Sequence, residues 1–469
     1  MHALVLMLLA QPFVRSMTGP QEDAACLWWE GPAIEFKQNS AGNPVTGAAA
    51  SLGAVSSAFI NWNDAMKCSL LYLSEGAKVP TRKVGAVTSG ANVNLVLFRT
   101  RTCSKVVPAG NPCWASNACG NSYDCWDQSS ALLGTTTVSY DAATGRIFDA
   151  DIEFNAADHT FTVVDSPVCT DGAVSQRCVA TDIQNTATHE IGHFLGLGHT
   201  TAQRSTMNDS STMGERTKRN IDEGTRSFLC EAYPPETGPN DCVLRPVTET
   251  LGTSANKGCS TAGLFPLAGL ALLTLVRRRR LAVLATVLVA TVSHATTMLS
   301  LELESLIDTS DAVARVRVER TQAMWSADGS RIVTEVTLAV LDGWKGGAKQ
   351  TVTVFLPGGV VGRVGQRVDG VPRLEPGSEL IVFLEARGDR FVLTGLSQGV
   401  FAVVRTNGGT LAKQQSLEAR YVDERTGVVV EKKPLALEMD ALKRRVLERL
   451  QGADSNRALP FALPTQMSR

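Results

Sequence analysis

Apolar residues recur along the first half of the chain at two different periods. Val55, Phe59, Trp62 and Met66 return every three or four positions, the spacing of one helix face, and predict an amphipathic helix over 51–67. The run NVNLVLFR at 92–99 reads as a strand, and 135–140 and 146–155 flank the turn-like DAATG as the arms of a hairpin. The second arm alternates. Phe148, Ala150, Ile152 and Phe154 fall on one face and Asp149, Asp151, Glu153 and Asn155 on the other, the pattern of a strand with one buried and one solvated face. Over 183–194 the period becomes helical again, with Ile183, Ala187, Ile191 and Phe194 as the buried stripe.

The last third changes texture. Strand-like runs at 313–318, 332–341, 350–355 and 380–384 are punctuated by Gly358-Gly359 and Gly408-Gly409, and 435–450 (LALEMDALKRRVLERL) reads as an amphipathic helix. No cysteine follows Cys259 and no histidine follows His294, so this β-rich module, 296–469, shows no catalytic constellation. A small β-barrel or sandwich is expected, in the alternative reading a binding or inhibitory domain.

Between the halves lie two apolar stretches, 262–276 and 281–295, separated by Arg277–Arg280. One helix cannot carry four arginines through a bilayer centre, and each stretch is shorter than the ~20 residues a span needs. The segment is therefore a hairpin with its arginines on the cytoplasmic side, or two separate export signals. In the second, favoured reading, Gly258-Cys259-Ser260 with its apolar stretch and arginines resembles the C-terminal sorting tail of myxobacterial exported proteins. Residues 277–295 then resemble a signal peptide ending in Ser293-His294-Ala295, and the chain joins two exported proteins. Either way 262–295 is expected to anchor or process the chain at the envelope. The apolar run Ala3 to Ala10 makes 1–21 a candidate signal segment. A first folded module is then expected over 22–245 and a linker over 246–261.

Composition narrows the class. Of 469 residues 44% are hydrophobic and 19% charged, with a formal net charge of −1, which suits a globular protein and excludes a nucleic-acid partner that needs a basic face. All 11 cysteines lie between Cys26 and Cys259. Such crowding points to disulfides formed in an oxidising compartment, hence an extracellular or cell-surface protein. The ten cysteines up to Cys242 suffice for five bridges, leaving Cys259 over, and 103–125 reads as a disulfide-rich loop.

Residues 189–199 read HEIGHFLGLGH. His189 and His193 stand one helical turn apart on one face, where two imidazoles can reach one zinc ion. Glu190 sits beside the first, placed to act on water as a general base. His199 cannot share that face, so the chain must leave the helix and turn back, and Gly196 supplies the backbone freedom for the turn. Three histidines leave a fourth position for water, as a catalytic zinc site requires.

HExxHxxGxxH, with a methionine in Ser205-Thr206-Met207 shortly after the third histidine, resembles the metzincin signature, and the spacing is similar to the matrixin branch. Thr200 stands where matrixins usually carry serine, and Asp209 where astacins and serralysins carry tyrosine. Met213 is a second candidate for the methionine turn. The stretch RNIDEGTRSFLCEAY at 219–233 looks like the last matrixin helix, and Cys169 and Cys178 ahead of DIQNTATHE look like a bonded pair of bacterial matrixin-like peptidases. The resemblance spans roughly 25–235. It implies an α+β metzincin-type domain: a twisted, mostly parallel sheet with an antiparallel edge strand and an active-site helix. It also implies a zinc metalloendopeptidase acting on protein or peptide substrates.

Departures from that family are visible too. No PRCGxPD segment precedes the domain, so latency by a cysteine switch is not expected. Only His159 lies between His2 and His189, too few histidines for a second, structural zinc. Asp149, Asp151 and Asp165 could take calcium, but a solvated strand face explains them better. The strand 149–155 is expected to be the edge to which an extended substrate adds.

Overall fold

The alternating and helical patterns of the first half meet in one sheet backed by two helices. The computed structural model describes residues 13–242 and 298–452, apart from 22, 88–90, 171, 201, 203, 237, 348–349, 416–418, 423–428 and 433–434. The apolar run at 3–10, Cys259 and the expected envelope segment 262–295 lie outside the described residues. Among those described, no helix is long and apolar enough to cross a membrane. The described residues on both sides of the central gap belong to one compact unit.

The principal elements of the first half are β1 (Ala33–Gln38), α1 (Ala48–Ala65), β2 (Tyr72–Glu75), β3 (Asn94–Arg99), β4 (Gly134–Asp141), β5 (Arg146–Asn155), α2 (Ile183–Phe194), β6 (Ser210–Ser211) and α3 (Glu223–Ala232). The sheet runs β2-β1-β3-β5-β4. β1, β2, β3 and β5 are parallel, and β4 is antiparallel to β5. Helices α1 and α2 bring their apolar stripes together: Phe59 meets Phe194 edge to face at 6.1 Å. The Trp62 indole donates to the Thr188 carbonyl at 2.8 Å, so the ring is buried without stranding its N–H.

Five disulfides tie this module: Cys26–Cys242, Cys68–Cys230, Cys103–Cys125, Cys113–Cys119 and Cys169–Cys178. The first two close loops of 216 and 162 residues, and long loops gain most from cross-linking in the chain-entropy account. Residues 13–21, grouped with the leader in the sequence reading, are partly woven into this core. Val14 and Arg15 pair with Gly198 and Leu197.

The second half opens with β7 (Met298–Leu299) and α4 (Leu303–Thr309), followed by β8 (Ala312–Trp325), β9 (Ile332–Lys345), β10 (Thr351–Pro357), β11 (Gly359–Val361) and β12 (Val364–Val368). β13 (Glu379–Arg387), β14 (Arg390–Leu393), β15 (Val400–Thr406), β16 (Gly409–Gln414), β17 (Ala436–Glu438) and α5 (Met439–Gly452) complete it. Pairing runs β8-β9-β10-β14-β13, and β13 also pairs with β8, which closes a barrel. Val316, Val336, Val354, Val382 and Leu393 fill its interior. The helix expected over 435–450 begins later, because Leu437 is taken into a strand opposite Ala412.

Three readings of the hairpin need correction. The polar face of β5 is not solvated: Asp149, Asp151, Glu153 and Asn155 are exposed by only 0, 1, 4 and 0%. Asp151 accepts from the amides of Gly85 and Leu95, and Glu153 pairs with Arg99 at 2.6 Å and with Arg331 of the second half at 2.7 Å. A bulge between Ser139 and Tyr140 leaves Phe148 out of register and turns Ile147 inward in its place. Nor is β5 an edge. It lies between β3 and β4, and the outer edge of β4 carries the β12–β11 hairpin of the second half. The antiparallel strand expected at the sheet edge is thus covered.

Burial pushes the Asp149 carboxyl well above the usual range, helped by neighbouring Asp151, and burial pushes Asp151 up to about 7. A raised carboxyl adds stability that is complete below its unfolded pKa, near 4, and is lost as pH rises through the folded value. This pair therefore favours folding at pH 5 over pH 8. Asp149→Asn should flatten that dependence, raising Tm at pH 8 more than at pH 5. Parallel melts of the two proteins at both pH values check it; an unchanged slope would contradict the assignment.

Candidate metal centre

Asp182 caps α2, its carboxylate accepting from the Asn185 amide at 2.7 Å. The helix then carries His189, Glu190 and His193, and ends at Leu195. Gly196 follows at φ +96°, and a Cβ there would meet the Leu27 carbonyl oxygen at 2.6 Å. Glycine is required on both counts, and the turn it makes returns His199 to the helix face.

The three Nε2 atoms converge, 3.0 Å between His193 and His189, 3.1 Å between His193 and His199 and 2.6 Å between His199 and His189. Behind two of the rings stand carbonyl acceptors: Thr206 O lies 2.6 Å from His189 Nδ1 and Leu197 O lies 2.8 Å from His193 Nδ1. The proton of each ring therefore sits on Nδ1, and the Nε2 lone pairs point at one another. Burial and the adjacent imidazoles hold His189 and His199 well below their ordinary pKa. Unprotonated acceptors so close repel unless they share a cation, and imidazole nitrogen suits zinc. The residues fit the metal that the spacing predicts. Among the described residues, this is the group of three metal-ligating side chains.

Glu190 is fully buried, and the Thr136 hydroxyl of β4 lies 2.6 Å from its Oε2. Met207 packs beneath the histidines against Gly192, where any Cβ would collide with its sulfur. The loop that holds it is fixed by Asp222, which accepts from the Thr206 amide at 2.8 Å and the Ser205 hydroxyl at 2.9 Å. Met213, the second candidate, is 41% exposed and does not share this place. His159 contacts the Ser130 carbonyl at 2.7 Å. Asp165 pairs with Arg219 and Arg216 at 2.7 and 3.2 Å, so the three aspartates considered for calcium have separate partners.

Residues 113–233 match the matrixin family model. The matched stretch runs from the disulfide loop through β4, β5, α2 and the methionine loop to the end of α3, and it supports a metzincin-like catalytic domain with metallopeptidase chemistry. No curated protein gave a significant match.

No sequence pattern singles out Asp369. This residue of the second half follows β12, and its carboxylate lies 3.2 Å from His193 Nδ1 and accepts from the Ser16 hydroxyl at 2.7 Å. Burial would raise its pKa, but Arg367, His193 and Ser16 hold it well below the usual carboxylate range. A carboxylate behind a ligating imidazole fixes its tautomer and orientation, and losing one typically lowers metal affinity about 10- to 100-fold. Asp369→Ala should weaken zinc binding by that much in a chelator competition; an unchanged affinity would show that Leu197 O suffices.

Proposed function

We propose that the chain is a zinc-dependent metalloendopeptidase that cleaves proteins or peptides outside the cytoplasm. The observation that carries this reading is the convergence of His189, His193 and His199 on one point, with Glu190 on the same helix. A zinc ion held there would supply Lewis acidity, acidifying water and polarising a peptide carbonyl.

The chain's own groups supply the rest. Glu190 takes the proton of the attacking water at its carboxylate and returns it to the leaving amine nitrogen. The Thr136 hydroxyl, 2.6 Å from Oε2, fixes the carboxylate's orientation. Near-complete burial of the histidines and Glu190 keeps bulk water away and strengthens each electrostatic contact. The edge beside Glu190 that can hold an extended backbone belongs to β4 rather than β5. Five disulfides support an oxidising compartment.

Hydrolysis of an unfolded protein such as casein should stop on chelation and return on adding zinc alone. Hydrolysis that persists in chelator would remove the reading.

A further inference from the structure

The cleft beside Glu190 has two walls. One is the outer edge of β4 with the preceding Ala131 and Leu132; the other is β6, just beyond Met207. Both walls are occupied by the second half of the chain. β12 lies antiparallel along β4, from Val364 opposite Asp141 to Val368 opposite Thr137. Met298 and Leu299 then lie between the walls, parallel to Ser210 and Ser211 on one side and bridged antiparallel to Leu132 on the other. The Leu299 amide donates to Ala131 O at 2.9 Å and the Met298 amide to Asp209 O at 3.3 Å. The Met298 side chain is 2% exposed, packed with Trp126, Leu132 and Leu396.

Strand addition of this kind is how a cleft holds an extended peptide: main-chain hydrogen bonds on each side, with alternate side chains in pockets. Along β4 and its lead-in the two segments run in one direction, β12 opposite 141–137 and then Met298 opposite Leu132. Between those registers is the stretch holding Gly134 and Thr136, the residues that approach the Glu190 carboxylate. Glu190 thus faces the junction of two separate segments rather than the middle of one continuous peptide.

Flanking contacts are built to hold this arrangement. Glu385 accepts from the Ser129 hydroxyl at 2.7 Å and the Ser130 amide at 2.9 Å, and Arg390 pairs with Asp127 at 3.0 Å, all largely buried. Buried charges are costly unless paired across the contact, so they favour the docked register over a shifted one. The barrel has its own closed core and reaches the peptidase module through extended segments, polar pairs and the small apolar cluster around Met298.

We infer that the β-barrel module is a peptidase inhibitor directed at this chain's own site. Met298–Leu299 occupies the place of an extended substrate, and β12 takes the strand edge. This inference rests on the peptidase reading above.

Two full-chain variants test it at separate contacts. Met298→Glu places a charge in the apolar pocket between the walls. Gly365→Val drives a side chain into the Tyr140 ring, which the Gly365 position directly abuts, and so lifts β12 from β4. Assayed at saturating zinc, because Asp369 follows β12 and stands behind His193, each should raise kcat/KM on a fluorogenic peptide by about tenfold or more, since each removes well over one hydrogen bond's worth of docking.

Folded, zinc-loaded variants that cleave no faster than wild type would overturn the inference and leave the peptidase reading standing. Zinc-loaded variants and wild type that cleave nothing, or a wild type that binds no zinc, would remove both. In the unmodified chain, a saturating peptide hydroxamate should speed amide exchange at Met298 and Leu299. Unchanged exchange with the hydroxamate bound would equally contradict the inference.

Discussion

Glu190→Gln should lower turnover by about 100- to 10,000-fold, the range of a lost general base, while the chain keeps its zinc. Glutamine matches glutamate in size, and its amide oxygen can still accept from Thr136, which stands 2.6 Å from Oε2. What it loses is the capacity to take a proton. The imidazoles do not use Glu190 to converge: His189 Nδ1 contacts Thr206 O, and His193 Nδ1 contacts Leu197 O and Asp369. The comparison is best made both in the unmodified chain and in the Met298→Glu background. Zinc content by elemental analysis beside kcat separates the outcomes. Loss of both would make Glu190 structural, and full activity with zinc retained would end its assignment as base.

The second large effect falls on stability. Converging lone pairs on fully buried rings repel without a cation, so the metal is part of the folding free energy. At free zinc about 1,000 times Kd, binding adds about 4 kcal/mol, or roughly 10 °C in Tm for a module of this size. Chelation should lower Tm by about that amount, and the zinc-free His193→Ala protein should melt at the lower temperature with or without zinc. Differential scanning of both proteins, with and without zinc, checks it. A wild-type Tm indifferent to chelator would contradict a structural contribution from the metal.

The parts of the site visible in the sequence are those whose geometry is local. One helical turn fixes His189 against His193, one glycine at positive φ brings back His199, and a short loop carries Met207 under them. The apolar stripe of α1 and the strands of the first half follow from periodicity for the same reason. Alternation, by contrast, reports which residues share a face and says nothing of what covers it. Asp149, Asp151 and Glu153 read as a solvated face because their cover, Ser139, Gly85, Arg99 and Arg331, comes from neighbouring strands, a loop and the second half. For the same reason β5 reads as an edge in the sequence and is an inner strand in the fold: a strand's neighbours are set by pairing, which no single-strand pattern contains. Asp369 was invisible because its meaning lies in a contact to His193 across two modules. Phe148 was misplaced by a bulge that shifts the register by one residue.

The most direct measurement is the zinc K-edge absorption spectrum of the purified chain together with its metal content. The account predicts one zinc per chain, a first shell of nitrogen and oxygen near 2.0–2.1 Å with the multiple-scattering pattern of imidazole, and loss of both in His189→Ala. A sulfur shell near 2.3 Å, or no bound zinc in a folded chain, would contradict it.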